Sequence, residues 1–146
     1  MEVEVKIDSS YSDPKVIILT SSMTEKVNNL VKKLSKEDSK IIFGIKDEKV
    51  EVLEQSELIR VYAGSGKVTA VTDNGEYNLK NRLYEMEEKL NKSYFIRISN
   101  SEIINLKKVK NFDLNFTGTI CVKLSNGTVT YVSRRYVSKI KEILGV

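Results

Sequence analysis

The sequence contains no histidine, which removes the commonest general base and the commonest transition-metal ligand. Ser-His, Cys-His and His-zinc sites are therefore excluded. The short run from Gly64 to Lys67 lacks the length of a phosphate-binding P-loop and precedes a strand pattern instead of a helix. The carboxylates show no spacing that separates a catalytic pair from a solvated surface. We therefore expect no enzymatic activity, no cofactor and no metal site.

The chain also has a single cysteine, Cys121, and no apolar run of membrane-spanning length. One cysteine cannot form an internal disulfide, which agrees with a reducing compartment. The first residues lack the basic and apolar regions of a signal peptide. These features together predict a cytoplasmic protein.

The net charge of +4 is distributed unevenly along the chain. Residues 1–90 carry 14 Lys and Arg against 17 Asp and Glu, whereas residues 91–146 carry 10 against 3 and so have a net charge of +7. A segregated basic region points to a polyanion partner such as a nucleic acid. A basic surface for a membrane or for an acidic protein would produce the same charge count.

Hydrophobic periodicity predicts a small β-β-α unit in residues 1–40. Alternating apolar residues favour a strand at 2–8, and a continuous apolar run favours a second strand at 16–20. Ser22 with Glu25 three residues later indicates a capping box at the start of a helix. Apolar residues at helical spacing follow, up to Leu34, and a polar run from Ser35 to Lys40 closes the unit. So small a unit is expected to pack on the rest of the chain or on a second copy of itself.

Residues 41–146 show many short strand patterns separated by turns, which predicts a mainly β domain. Asp73-Asn74-Gly75 and Asn126-Gly127 each lie between two such patterns and indicate hairpins, the second with a type I′ turn. A short amphipathic helix is expected from the spacing of Leu79, Leu83, Met86 and Leu90. Ile103 to Leu106 reads as a buried apolar turn, and Val109 to Asn115 as the strand before the last hairpin.

The final helix is predicted after the last hairpin, with Ser133 as its N-cap and Gly145 at its end. Arg134 and Arg135 open this helix, although cations in a first turn oppose the helix dipole. Two guanidinium groups beside free N–H groups form an anion site suited to phosphate. The alternative is that both arginines merely solvate a surface turn.

Two separated segments carry a more specific signal. The first runs from Phe95 to Val109, Phe-Ile-Arg-Ile-Ser-Asn-Ser-Glu-Ile-Ile-Asn-Leu-Lys-Lys-Val, and the second is Val132-Ser-Arg-Arg-Tyr136 after the Asn-Gly hairpin. Together they resemble the LytTR DNA-binding domain family, with an aromatic-x-Arg-x segment, a polar pair, Ser, an apolar-Asn-Leu turn, and a hairpin ending in Ser-Arg-Arg-Tyr. The resemblance covers residues 41–146.

The resemblance implies an elongated antiparallel domain of several small sheets that presents loops to successive major grooves of double-stranded DNA. It implies base contacts from Asn100, from Arg135 and from the loop around Gly64 to Lys67. Gly66 stands where members often carry a histidine or similar base-reaching side chain, so Lys67 is left to reach a base or a phosphate. Backbone contacts are implied for Ser99, Ser101, Ser133, Arg134 and Tyr136.

Some residues of these segments have alternative interpretations. Lys107 and Lys108 fit either phosphate contacts or an ordinary solvated face. Asn105 is expected to bond its own turn, and Arg97 fits a scaffold role. Arginine is the usual bidentate partner of guanine and asparagine of adenine, so Asn100 and Arg135 are the strongest base-reading candidates.

The predicted function is that of a sequence-specific bacterial transcriptional regulator which reads direct-repeat sites. Residues 1–40 are too few for a phosphorylated receiver domain, so we expect another form of control. The extension would serve as a dimerisation element, giving a homodimer at least on DNA, or as a dock for an inhibitor such as a membrane protein encoded nearby. The alternative function is a non-enzymatic interaction module with a basic surface for an acidic partner or a membrane.

Overall fold

The computed structural model describes residues 1–35, 41–114 and 118–146. By their internal contacts the residues divide into two compact units, 1–37 and 38–146. The predicted polar run at 35–40 and the predicted strand end at Asn115 lie almost wholly outside the described residues. No described helix has the length and apolar character needed to cross a membrane.

The first unit contains helix α1, Glu25–Ser35, and the predicted helix is confirmed. The two strands predicted at 2–8 and 16–20 are wrong, because residues 1–24 form no strand. Their apolar side chains are exposed, Ile7 to 98% and Leu19 to 93%, so neither segment has a neighbouring surface that would stabilise it as a strand. The predicted capping box is also wrong, since the Thr24 hydroxyl, not that of Ser22, accepts from the N–H of Val27 at 3.3 Å.

In its described residues the second unit is built from antiparallel strands, two α-helices and two 3₁₀ turns, which confirms the mainly β prediction. In chain order its elements are β1 (Ile42–Lys46), β2 (Lys49–Leu53), β3 (Arg60–Gly64), β4 (Lys67–Thr72), β5 (Gly75–Leu79), α2 (Leu83–Lys89), β6 (Phe95–Ser99), β7 (Glu102–Asn105), β8 (Val109–Asp113), β9 (Ile120–Leu124), β10 (Val129–Val132) and α3 (Arg134–Leu144).

The strands form a seven-stranded sheet in the order β2-β1-β5-β4-β3-β7-β6 and a three-stranded sheet in the order β10-β9-β8. Because β3 and β7 are antiparallel, with Tyr62 opposite Glu102, the turn after β3 and the loop before β7 lie at the same end of the large sheet. We call this the loop end; it carries residues 64–67 and 99–101. The turn at 73–75 and the segment 105–108 lie at the opposite end.

Two hydrophobic clusters cover the two faces of the large sheet. One cluster joins it to α2 and includes Leu58, Met86 and Ile103. The other joins it to the small sheet and α3 and includes Ile98, Ile104 and Ile140. Since Ile103 and Ile104 point into different clusters, β7 is buried on both faces, and the predicted apolar turn at 103–106 is wrong: a strand runs to Asn105 before a 3₁₀ turn at Leu106–Lys108.

The last hairpin forms as predicted, and the side chains of Ile120, Val122 and Leu124 are buried on one face. Its turn is not type I′, because only Gly127 has a positive φ, 88°, whereas type I′ requires two such residues. The N–H of Leu124 bonds the carbonyl of Thr128 at 2.9 Å, which leaves a three-residue loop. A three-residue loop needs one left-handed residue, which Gly127 supplies.

Candidate nucleic-acid interface

Asn100 lies at the tip of the loop between β6 and β7, where Arg97 holds the backbone in place. The guanidinium of Arg97 donates to the carbonyl of Ser99 at 2.8 Å and to that of Asn100 at 2.6 Å. Its remaining nitrogen forms an ion pair with Glu87 on α2. The Arg97 side chain is only 14% exposed, so the scaffold interpretation of this residue is confirmed. The Asn100 side chain itself is exposed.

The two serines beside Asn100 bond to each other across the loop. Their hydroxyl oxygens lie 3.2 Å apart, and the N–H of Ser101 also donates to the Ser99 hydroxyl at 3.2 Å. The carbonyl of Ser101 accepts from the N–H of Ala63 on β3 at 2.8 Å. The loop is therefore attached to the neighbouring strand as well as to its own.

Helix α3 starts beside this loop. The N–H of Ser133 donates to the carbonyl of Ile98 at 2.9 Å, and the Tyr136 hydroxyl makes a long hydrogen bond of 3.5 Å to Asn100 Oδ1. Arg134 and Arg135 are both exposed. Ser133 occupies the predicted N-cap position, but its side chain makes no capping bond, so its hydroxyl is free of that role.

Lys67 lies in the turn after β3, also at the loop end. Ser65 and Gly66 both have positive φ, 54° and 74°, and Gly64 pairs with Lys67, as in a type I′ hairpin turn. The Lys67 side chain is exposed. The structure thus brings Lys67, Asn100 and Ser101 to one end of the large sheet.

Lys107 and Lys108 lie at the opposite end, away from Asn100. The Lys107 ammonium stands over the ring of Tyr94, 4.3 Å from its centroid, which is a cation–π contact. The carbonyl of Lys108 accepts from the N–H of Ser125 at 2.7 Å, so Lys108 lies beside the loop of the last hairpin. The predicted structural role of Asn105 is confirmed: it accepts from the N–H of Lys107 at 2.9 Å and donates to the carbonyl of Leu58 at 2.8 Å.

A buried ionic cluster that the sequence did not indicate follows the Asn100 loop. Glu102 is 6% exposed, its Oε2 lies 2.8 Å from Arg60 Nε, and its Oε1 accepts from the Thr130 hydroxyl at 2.6 Å. The Arg60 N–H is not aligned on the oxygen, and neither of these two atoms bonds any other described group, so their contact is ionic. Because Thr130 belongs to β10, this cluster joins the two sheets next to the candidate interface.

The described residues offer exposed cations, hydroxyls and one amide at this interface, but no group of three or more Cys, Asp or Glu side chains that could hold a metal ion. Such an arrangement suits an anionic ligand that also carries donors and acceptors. Double-stranded DNA has both, in its phosphates and its base edges.

Comparison with known proteins relates this chain to DNA-binding proteins. The family model of the LytTr DNA-binding domain matches residues 48–145. The chain is 32% identical, over its whole length and 99% of the relative's, to an uncharacterised HTH-type transcriptional regulator of Staphylococcus aureus strain NCTC 8325. A protein of the same description from strain MRSA252 is 31% identical over the same shares of both chains.

A solved structure has the same fold. The LytTr DNA-binding domain of a protein described as a methyl-accepting/DNA response regulator from Bacillus cereus matches with a TM-score of 0.70 and 23% identity, covering 73% of this chain and 98% of that one. The names of the staphylococcal relatives refer to a helix-turn-helix, which needs two consecutive helices. In the parts of this chain that the structure describes, strands separate each α-helix from the next.

Proposed function

This chain belongs to the LytTR DNA-binding domain family, and we propose that it is a sequence-specific bacterial transcriptional regulator that binds double-stranded DNA and catalyses no reaction. The chromosome as target implies action in the cytoplasm. The observation that carries the proposal is the meeting of two separated motifs: the Asn100 loop and the start of α3 touch through Tyr136. Their exposed side chains are those best suited to read bases.

We assign base reading to Asn100 and Arg135. An asparagine amide pairs with adenine through two hydrogen bonds, and a guanidinium pairs with guanine in the same way. Arg97 holds the Asn100 backbone, which supports this assignment because base reading requires a fixed donor geometry. Lys67, in the neighbouring turn at 64–67, would contact a base or a phosphate of the same DNA.

Phosphate contacts would set the register of the protein on the duplex. Ser99, Ser101, Ser133, Arg134 and Tyr136 surround the two base-reading residues and present hydroxyl or guanidinium donors, which suit phosphate oxygens. Lys107 and Lys108 lie at the opposite end, so any phosphates they contact belong to another stretch of the duplex. Sites arranged as direct repeats would let several such surfaces enter successive major grooves.

Two copies are needed to occupy a direct repeat, and we propose a homodimer at least on DNA. The apolar side chains of the first unit support this role, because Met23, just before α1, is 68% exposed and Leu34, on α1, is 45% exposed. Leu34→Glu should then weaken dimer formation in analytical ultracentrifugation with a two-repeat duplex. An unchanged dimer would leave this surface to an inhibitor, for which a membrane protein encoded nearby is our candidate.

We do not expect phosphorylation of this first unit to control the protein. Residues 1–37 are far fewer than a receiver domain requires, and their only helix or strand in the described part is α1. We propose instead that a binding partner or a second copy of the chain acts through this unit.

The experiment that tests the function is a binding titration. Wild-type protein is used to select duplexes from random DNA, and fluorescence anisotropy then compares the selected duplex with a scrambled one at two salt concentrations. We expect at least about a hundredfold preference, roughly 2.7 kcal/mol, that persists at the higher salt. Equal binding that disappears with salt would contradict the proposal and favour a basic interaction surface for an acidic partner or a membrane.

Arg135 and Arg134 form a matched pair for the same assay. Arg135→Ala should cost about 1 to 3 kcal/mol on the selected duplex and relax the preference at one base pair. Arg134→Ala should weaken both duplexes alike and reduce the salt dependence by about one unit. Equal losses on both duplexes for Arg135→Ala would remove it from the base-reading set.

A further inference from the structure

An open groove of about 600 Å³ at the loop end is lined by three cations, Lys67, Lys80 and Arg82. Its walls are the turn at 64–67 and the segment that leads from β5 into α2. No Asp or Glu is among the described residues that line it. An unbalanced positive groove of this kind attracts an anion.

The strand register places two of these cations against each other. Val68 pairs with Leu79 across β4 and β5, so continuing the register by one residue puts Lys67 opposite Lys80. Like charges at directly opposed positions destabilise a sheet. A local rule broken without local compensation is a common sign of a functional site.

No described carboxylate lines the groove beside these charges; a neighbouring one, that of Glu85, accepts from the backbone N–H of Arg82 at 3.0 Å. Both ion pairs recorded among the described residues involve other side chains, Arg60 with Glu102 and Arg97 with Glu87. The glycines of the turn also leave space, since a side chain built on Gly64 or Gly66 would meet nothing within 4 Å. The groove is therefore open to a ligand as well as positively charged.

The groove is also connected to the candidate DNA surface. Ala63 lines it, and the N–H of Ala63 donates to the carbonyl of Ser101 in the Asn100 loop. A duplex bound at the Asn100 loop would thus pass close to the groove. Its backbone phosphates are the anions at hand, and lysine and arginine are the side chains that bind phosphate best.

We propose that the groove between residues 64–67 and 80–82 binds a backbone phosphate of the same DNA, with Lys80 and Arg82 as contacts that the sequence motifs did not indicate. This inference rests on the proposed function and deepens it. Of the two roles left open for Lys67, contact with a base or with a phosphate, it favours the phosphate. It makes the groove a source of affinity and register without base preference.

The test uses the full chain with Lys80→Ala/Arg82→Ala and a charge-matched control, Lys49→Ala/Lys92→Ala. Lys49 begins β2 opposite Lys46, whose side chain bonds the 73–75 turn, and Lys92 precedes β6. Both lysines are exposed at the end opposite the groove. Anisotropy titrations with the selected and scrambled duplexes are repeated at several salt concentrations.

We expect the groove variant to bind both duplexes roughly tenfold more weakly than wild type, with the salt slope smaller by about 1 to 2 and the ratio between duplexes unchanged. The control variant should stay within about threefold of wild type. A groove variant that behaves as the control does overturns the inference. So does a loss confined to the selected duplex, because that indicates base reading.

Neutral methylphosphonate linkages then locate the phosphate. One substituted position in the duplex should weaken wild type and leave the groove variant unaffected, because the contact is already lost in the variant. Equal weakening of both proteins at every position overturns the assignment. These outcomes are separate from a failure of the proposed function, which would appear as wild-type protein with no preference between duplexes.

Discussion

The two loops of the loop end that we propose as DNA contacts are held in different ways. The Asn100 loop is fixed by side chains on both sides, by Arg97 before it and by Glu102 after it. Among the described residues, the Lys67 turn is held by its backbone, through the positive φ of Gly66 and the pairing of Gly64 with Lys67. Base reading needs donors within a few tenths of an ångström, whereas a phosphate contact tolerates a mobile ammonium. This difference supports the proposed roles, base reading by the first loop and phosphate binding by the second.

The largest effect should come from the buried pair behind the Asn100 loop. Arg60→Met leaves the Glu102 carboxylate buried beside only the Thr130 hydroxyl, and an orphaned buried charge is costly. We expect a loss of about 3 kcal/mol in the free energy of unfolding. Urea denaturation followed by circular dichroism measures it, and the chain's lack of tryptophan makes tyrosine the available fluorescent probe.

Arg60→Lys is the control for this prediction, because it keeps a cation near Glu102. It should recover at least half of the lost stability. If Arg60→Met unfolds at the wild-type urea concentration, the cluster does not fix β7 against the small sheet. Arg97 would then be the one side chain of the two that holds the Asn100 loop in place.

The next effect concerns the guanidinium that holds the loop itself. Arg97→Met removes two hydrogen bonds to carbonyls and the ion pair with Glu87, which should lower stability by about 2 kcal/mol. The preference for the selected duplex should fall with it, because Asn100 is no longer fixed. Glu87→Gln is the control: it breaks the ion pair, keeps the carbonyl bonds and should keep the preference. Equal loss of preference in both variants would contradict a positioning role for Arg97.

The sequence predicted the strands and turns of the second unit better than the contacts between them. The strands around Asn126-Gly127 and around Asp73-Asn74-Gly75 follow from turn chemistry and alternation, which are local signals. β7 was misread because both of its faces are buried, so Ile103 and Ile104 show no alternation. The strands expected before α1 are absent for a different reason: the apolar pattern at 2–8 and 16–20 is present, but the structure gives neither segment a partner strand.

For the candidate site, too, the sequence indicates individual residues better than their positions in the fold. The exposed positions of Asn100, Arg134 and Arg135 agree with what the motifs indicated, but the motifs carry no information about which end of a sheet each segment reaches. Lys107 follows Asn100 by only seven residues, yet one strand, β7, carries it to the opposite end. The bonds from Arg97 go to backbone carbonyls, which no residue pattern reveals.

A smaller effect is expected from the base-reading amide. Asn100→Ala should reduce discrimination between the selected and scrambled duplexes by about 1.5 kcal/mol, because one bidentate contact to a base is lost. Stability should not change, since the side chain is exposed and its only recorded bond is the long one from Tyr136. Repeating the selection with the variant should show a relaxed preference at a single base pair. Asn111→Ala, an exposed asparagine on β8, is the matched control and should leave both measurements unchanged.

The smallest effect should come from Lys67 itself. Lys67→Ala removes one flexible cation from a turn that backbone geometry maintains, so we expect about 0.5 kcal/mol lost on both duplexes and a salt slope smaller by about one unit. Lys67→Arg should restore binding, because a phosphate accepts either cation. A loss confined to the selected duplex, not restored by arginine, would mean that Lys67 reads a base from an unbraced turn. In that case a loop of this protein could read a base without side chains that hold it in place, and the proposed distinction between the two loops would be wrong.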